Sequence, residues 1–310
     1  MKKIILLFLL MCMTGTRGYS QDCEIRLMTI DVGQDGETPA SANEYLYNRL
    51  CTVVSSDGIS ASGDYAQFFV AAKALPLYEQ VVTGAPAKTA LTLSLNLYIG
   101  DYLGEKVFDR IAFEIRGVGE SRERAFLNAY RSLNASNEKI VSFLEKGKKR
   151  IISYYDAEYG NIIKEARRLS QLRNYDRALF LLTAVPVCCK GYELVSEELV
   201  KTYHAYIDYS CDRLLMLARN AWAVNPDQTG AARVAEILNQ LEPDAACYDE
   251  AMELYKEVKA KVKDDWNFEM RQKYNDEIAI RKQVIDAARA VGVAFGKGQQ
   301  PKTTNLMWLK

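Results

Sequence analysis

The chain has 310 residues, of which 49% are hydrophobic and 26% charged. That balance is ordinary for a folded globular protein and excludes a disordered chain or one with many membrane spans. Forty basic residues offset forty acidic ones, so the basic excess expected of a nucleic-acid binder is missing. His204 is the single histidine, which removes most zinc sites and most histidine-based catalysis.

Residues 1–20 read as an export signal. Lys2 and Lys3 precede an apolar run from Ile4 to Met13, too short to span a bilayer as a mature helix. Gly18-Tyr19-Ser20 places small residues where a signal peptidase reads them, so cleavage is expected before Gln21. Cys12 follows Leu10-Met11, a poor setting for lipidation, and Cys23 lies too far beyond the apolar run. A soluble periplasmic or secreted protein is expected, with no integral membrane segment after cleavage. It retains Cys23, Cys51, Cys188, Cys189, Cys211 and Cys247, an even set that suits an oxidising compartment.

Residues 21–150 predict a mixed α+β domain. Glu24 to Val32 reads as a strand closed by Gly33-Gln34-Asp35-Gly36. Ser41 with Glu44 forms a capping-box pattern before Tyr45, Leu46, Leu50, Val53 and Val54 at helical spacing. Tyr65 to Leu77 reads as a second strand, ending near Pro76. Leu91, Leu93, Leu95, Leu97 and Ile99 then alternate with smaller or polar residues, a period of two that predicts a half-buried strand. Gly100 to Gly104 turns the chain, and Val107, Ile111, Phe113 and Ile115 resume on alternate positions. Residues 88–116 therefore predict a long antiparallel hairpin, with Asp109 as the polar exception on its apolar face. A helix from about Glu120 to Asn134 follows, and another with Ile140, Val141, Phe143 and Leu144 is expected to stop at Gly147. This element order over residues 24–135 resembles the small α/β domains at the N-termini of TolB-like and curli-secretion-like envelope proteins.

Residues 151–291 predict an all-helical domain. Ile162, Ala166, Leu169, Tyr175, Ala178, Leu182 and Val185 fit a helix pair of the tetratricopeptide kind, and Ala231, Ala235, Leu238 and Pro243 match half of a second. The segment thus resembles a degenerate tetratricopeptide-like array, and a plain helical bundle satisfies the same spacing. A last helix is expected over Asp249–Val291, with Leu254, Val258, Val262, Trp266, Met270, Tyr274 and Ile278 four apart. Such a row drifts around the helix, so the helix either breaks near Asp264-Asp265 or crosses two partners. The second is preferred, with the Trp266 region contacting the α+β domain. Residues 292–310 predict a flexible tail with an apolar tip.

Catalytic signals are poor. Gly117-Val118-Gly119 sits where a dinucleotide loop would, but Arg122 takes the third glycine's place and Glu120 and Glu123 would repel a phosphate. No motif surrounds His204. The carboxylate pairs Glu197-Glu198, Asp264-Asp265 and Asp276-Glu277 lie on lysine-dense helical stretches, and Lys146, Lys148, Lys149 and Arg150 read as a cationic helix end. No catalytic residue, cofactor or metal is called.

An up-down layout puts Cys188 and Cys189 at one end of a helix over residues 193–209 and Cys211 at the other, beyond disulfide reach. Two further helices return the chain, so a Cys211–Cys247 bond is expected. Cys23–Cys51 is the second candidate, and Cys188 and Cys189 remain as free thiols or an adjacent pair. The leading expectation is an exported, non-enzymatic protein–protein interaction or assembly scaffold of the cell envelope. Its partners would be proteins or further copies of itself, with Leu306, Met307, Trp308 and Leu309 as a docking tip. One alternative is an oligomeric pore or secretion-channel subunit using the 88–116 hairpin, and a second is a secreted enzyme of unrecognised type.

Overall fold

The computed structural model describes residues 25–32, 38–56, 67–102, 104–263, 266–272 and 277–299, with 277–280 described for the backbone alone. The fold is α+β: a four-stranded sheet in the N-terminal half, then helices. In chain order these are β1 (Leu27–Thr29), α1 (Ala40–Ser56), β2 (Phe68–Val82), β3 (Lys88–Asp101), β4 (Lys106–Gly119), α2 (Arg122–Tyr130), α3 (Glu138–Gln171), α4 (Tyr175–Thr183), α5 (Tyr192–Val224), α6 (Gln228–Leu238), α7 (Tyr248–Val262) and α8 (Glu277–Gln299).

The strands lie in the order β1-β2-β3-β4. β1 runs parallel to β2, so the chain has to cross over between them, and α1 lies in that connection. β2, β3 and β4 form an antiparallel meander. The period-two residues of β3 do what their spacing predicts: Leu91, Leu93, Leu95, Leu97 and Ile99 are buried on one face. Each such side chain is worth about 1.5–3 kcal/mol relative to exposure. Their cross-strand neighbours are Ile115 for Leu93, Phe113 for Leu95, Ile111 for Leu97 and Asp109 for Ile99. Asp109 is tolerated on that face because Arg150 of α3 reaches it at 2.8 Å.

α1, α2 and the first turns of α3 cover this face. α2 approaches β4 so closely that a Cβ on Gly117 would meet the Ala125 carbonyl at 2.0 Å. The glycines of the Gly-Val-Gly segment therefore sit inside a strand, as helix-packing sites. Ser121 caps α2, accepting from the Arg124 amide at 3.2 Å. Arg49 of α1 donates to the carbonyls of Leu133 and Arg131, tying α1 to the end of α2. One continuous apolar cluster extends from β1 through the sheet to α8, and a smaller one of Ile30, Val32, Phe69, Ala71 and Tyr98 lies on the opposite sheet face.

Several boundaries differ from expectation, each for a tertiary reason. α1 begins at Ala40, and the Ser41 hydroxyl donates to Glu123 instead of capping its own helix. β2 continues past Pro76 to Val82 by taking a bulge between Pro76 and Tyr78. α3 does not stop at Gly147 but runs for 34 residues. That glycine gives Ile99 room, since a Cβ there would lie 2.2 Å from the Ile99 Cδ1. The basic cluster at 146–150 is thus mid-helix and not a helix end: Lys148 pairs with Glu145 and Arg150 with Asp109. α5 extends to Val224, well beyond residue 209.

The last helix is two helices. α7 ends at Val262, followed by Lys263 in the left-handed region at φ 56°. Residues 266–272 run extended alongside α7, where the hydroxyls of Tyr248 and Tyr255 donate to the carbonyls of Arg271 and Phe268. Trp266 stacks on Tyr255 and Phe268, at 5.3 and 5.4 Å between ring centroids, in place of the expected contact with the sheet domain. α8 continues through Gly292 to Gln299 because Val284, Ala288, Gly292 and Gly296 form a buried seam of small side chains. Gly292 lies against Phe180 and Thr183 of α4. Ala178 on α4 and Ala231 on α6 are both fully buried, each in a short helix that follows a long one.

Candidate functional site

Two regions of the described surface are built differently from the rest. The first is the far end of the β2–β3 hairpin. β1 pairs with Phe68–Val70, and among the described residues no strand pairs with β2 on that side from Leu75 to Val82. From Leu75 onward that edge exposes Leu75, Leu77, Tyr78, Val81 and Val82, with Tyr78 at 60% and Val81 at 64% exposure. The register assigns faces. Glu79 and Val81 oppose Leu91 and Thr89, placing them on the core-facing side, while Tyr78 and Val82 oppose Thr92 and Lys88 on the outer side. Val118 of β4 opposes Ala90 and adds an exposed apolar residue to the outer side. Glu79 is held by Arg122 at 2.9 Å. This arm therefore presents apolar side chains on both faces of a strand edge, an arrangement that invites pairing with another strand.

The opposite edge of the same sheet is protected. β4 carries Arg110, Glu114 and Arg116 along its outer side, charges of the kind that blunt an edge against pairing.

The second region is a cleft of about 570 Å³ where the β3–β4 turn meets α3, α4 and the end of α8. Its floor is polar. Asp101 is buried and accepts from Gln67 Nε2 at 2.8 Å and from the Gly104 amide at 3.0 Å. Tyr155 also receives Gln67, at 3.0 Å, and its hydroxyl is pushed well above the usual phenol range by burial and then by the Asp101 charge. The Lys106 ammonium lies 3.4 Å from the centre of the Tyr154 ring. Phe295 and Gln299 of α8 close the cleft on one side. Asp101 holds the hairpin turn and the sheet-to-α3 contact together, and those bonds occupy both of its oxygens.

The residues singled out from sequence are dispersed. Cys211 in α5 and Cys247 at the start of α7 form a disulfide, with Cα atoms 5.9 Å apart. The Cys23–Cys51 candidate fails because Cys51 is a free thiol that faces the Tyr47 hydroxyl one turn earlier in α1; Cys23 lies outside the described residues. Cys188 is disulfide-bonded while Cys189 is a buried free thiol, which excludes both the adjacent pair and two free thiols. His204 lies mid-helix in α5 with its ring 6.5 Å from that of Tyr203. Glu198 is buried and held by Arg167 through two nitrogens, at 2.9 and 2.7 Å. Asp264, Asp265, Asp276 and the tip Leu306, Met307, Trp308 and Leu309 lie outside the described residues, as do residues 1–24. Among the described residues no helix is long and apolar enough to cross a membrane.

Sequence reasoning missed the arm, ending β2 at Pro76. The available signal was the apolar recurrence beyond that proline, Leu77, Tyr78, Val81 and Val82, in a stretch with a single charge at Glu79.

No protein-family model matches the chain, and no curated protein does. Among solved structures the chain is similar to a candidate lipoprotein from Caulobacter crescentus CB15, at 10% identity over 40% of this chain and 89% of that one, with a TM-score of 0.26. A likeness at that score carries no argument about what this chain does.

Proposed function

We propose that this protein is an exported, non-enzymatic interaction or assembly scaffold of the cell envelope. The observation that carries the reading is the β2–β3 arm, an exposed apolar edge that no described strand covers, in a sheet whose other edge is guarded by charge. The Cys211–Cys247 bond suits an oxidising compartment, as does the signal-like N-terminus. The twice-used pattern of long helix and short helix supports a scaffold half built from repeated units. Within this reading Leu306, Met307, Trp308 and Leu309 are the partner-binding tip.

A pore that lends the 88–116 hairpin to a shared barrel is less well supported. The face such a barrel would turn to lipid, Leu91 to Ile99, is packed beneath α2 and α3. The test is crosslinking in the intact envelope, comparing the tagged wild-type chain with the Tyr78→Asp/Val81→Asp variant after extraction in buffer alone. A detergent-free extract containing crosslinked complexes that the variant lacks is the expected result. Recovery only with detergent, or the same crosslinks from both chains, would overturn the reading.

A further inference from the structure

We propose that the β2 edge of the arm is the receptor for the C-terminal tip of a second copy of this chain, so that copies join head to tail by strand addition. The inference rests on the reading of the protein as an assembly module and names the partner of that surface.

The chemistry of the two segments matches. Four consecutive apolar residues, Leu306 to Leu309, suit neither a solvent-facing strand nor one face of a helix, but they suit a strand buried on both sides. In an extended peptide Leu306 and Trp308 point one way and Met307 and Leu309 the other. The arm offers apolar partners on both sides, with Tyr78 and Val82 on the outer face and Val81 on the core-facing side. Thr303 and Thr304, just before the tip, are β-branched and favour the same extended form. β4, the other edge of the sheet, presents arginines and a glutamate and would reject such a strand.

Distance makes the pairing intermolecular. Gln299 lines the same cleft as Asp101 and Lys106, at the turn end of the β3–β4 hairpin. The arm runs towards the opposite end of β3: Val81 opposes Thr89, twelve strand residues from Asp101, or about 40 Å. Leu309 is ten residues beyond Gln299, which a fully stretched chain spans in at most about 35 Å. A tail therefore stops short of Val81 and Val82 in its own arm, and a tip that lies along those residues comes from a neighbour. The contact is heterologous, and it propagates or closes into a ring.

Sedimentation of the purified full chain is expected to show assembly that rises with concentration. Truncation after Gln300 and the Tyr78→Asp/Val81→Asp variant should each be monomeric, with association weakened at least tenfold. An equimolar mixture of the two should form dimers and nothing larger, because one partner supplies only a tip and the other only an arm's neighbour site. Here the intact tip of the arm variant meets the intact arm of the truncated chain, and no second junction is available. A photo-crosslinking amino acid at position 81 should link to residues 306–309 of a differently labelled copy, a readout independent of how well the aspartate variants fold. Undiminished assembly of the truncated chain, higher oligomers in the mixture, or crosslinks from position 81 that avoid the tip would overturn the proposal. If the purified chain stays monomeric while the arm-dependent envelope crosslinks persist, the second-copy assignment fails and the scaffold reading survives.

Discussion

Between α4 and α5 the Lys190 amide donates to Asp156 at 2.7 Å, and between α6 and α7 the Ala246 amide donates to Asp208 at 2.7 Å. The aspartates sit on long helices a little over fifty residues apart, and each reaches a turn that returns to the same end. The turns match bond for bond: Cys189 donates to Pro186 and Tyr192 to Cys189 in the first, Ala245 to Glu242 and Tyr248 to Ala245 in the second. Gly191 and Cys247, the residues preceding α5 and α7, have nearly the same backbone angles. What differs is the fastener. One turn after Asp208 stands Cys211, bonded to Cys247. One turn after Asp156 stands Tyr159, whose ring lies over Gly191 so tightly that a Cβ there would sit 2.2 Å away. One backbone plan is closed covalently in one copy and by an aromatic ring on a glycine in the other. The shared element is the carboxylate that satisfies a turn amide, and the rest is replaceable.

The largest effect should come from removing the covalent fastener. The bridge spans 36 residues, and closing a loop of that length is worth roughly 3–4 kcal/mol in the chain-entropy account. The Cys211→Ser/Cys247→Ser variant should lose about that much in denaturant unfolding. Variants are the right tool, because a reductant would also open the bond at Cys188. A loss below about 1 kcal/mol would mean that the second turn holds itself, as the first one does.

The noncovalent fastener should be more modest and entirely steric. Gly191→Ala places a methyl against the Tyr159 ring and should cost about 1–3 kcal/mol through overpacking. The backbone at this position, with φ −87°, accepts alanine without strain. Tyr159→Ala then removes the clash, so the double variant should be more stable than the sum of the two single losses predicts. Strict additivity in that cycle would show that Tyr159 and Gly191 do not act together.

These pairs also show which parts of the fold could be read locally. The β3–β4 hairpin was legible because a period of two is written in the residues that form it. The expectation for Cys211 and Cys247 came from counting helices, and parity survives errors in helix length: α5 is 33 residues long, about twice what its pattern suggested. Glycines were misread wherever their reason was tertiary. Gly147 and Gly292 look like helix ends in sequence, yet they make room for Ile99 and for α4. The break after Val262 has no local signature, because it is fixed by the docking of residues 266–272 through Tyr248 and Tyr255. The arm was lost for a related reason: a proline and a bulge erase the alternation just where β2 leaves the core.

The finest contrast between the two turns is a single position. Cys189 in the first corresponds to Ala245 in the second, and both are buried. Burial, and after it the charge of Asp156, pushes the Cys189 thiol from 9.0 up to about 12. The folded protein therefore keeps a proton that the unfolded chain releases above pH 9. Stability from this site is complete below that pH and falls by about 1.4 kcal/mol per unit as the pH rises towards 12. Tyr130, Tyr155 and Tyr203, raised above their ordinary 10.0 chiefly by burial, begin to add their own decline as the pH approaches 10 and dominate beyond it. Between pH 9 and 10 Cys189 is the largest single contributor, at about 1 kcal/mol. Cys189→Ala makes the first turn match the second at this position, and it should lessen the loss of stability between pH 9 and 10 by about that amount, with the steeper fall above pH 10 retained. Denaturant titrations of both chains at pH 8, 9 and 10 measure it directly. If the variant loses stability between pH 9 and 10 as steeply as the wild type, the decline comes from other groups and the buried thiol of the first turn is no more pH-sensitive than the alanine of the second.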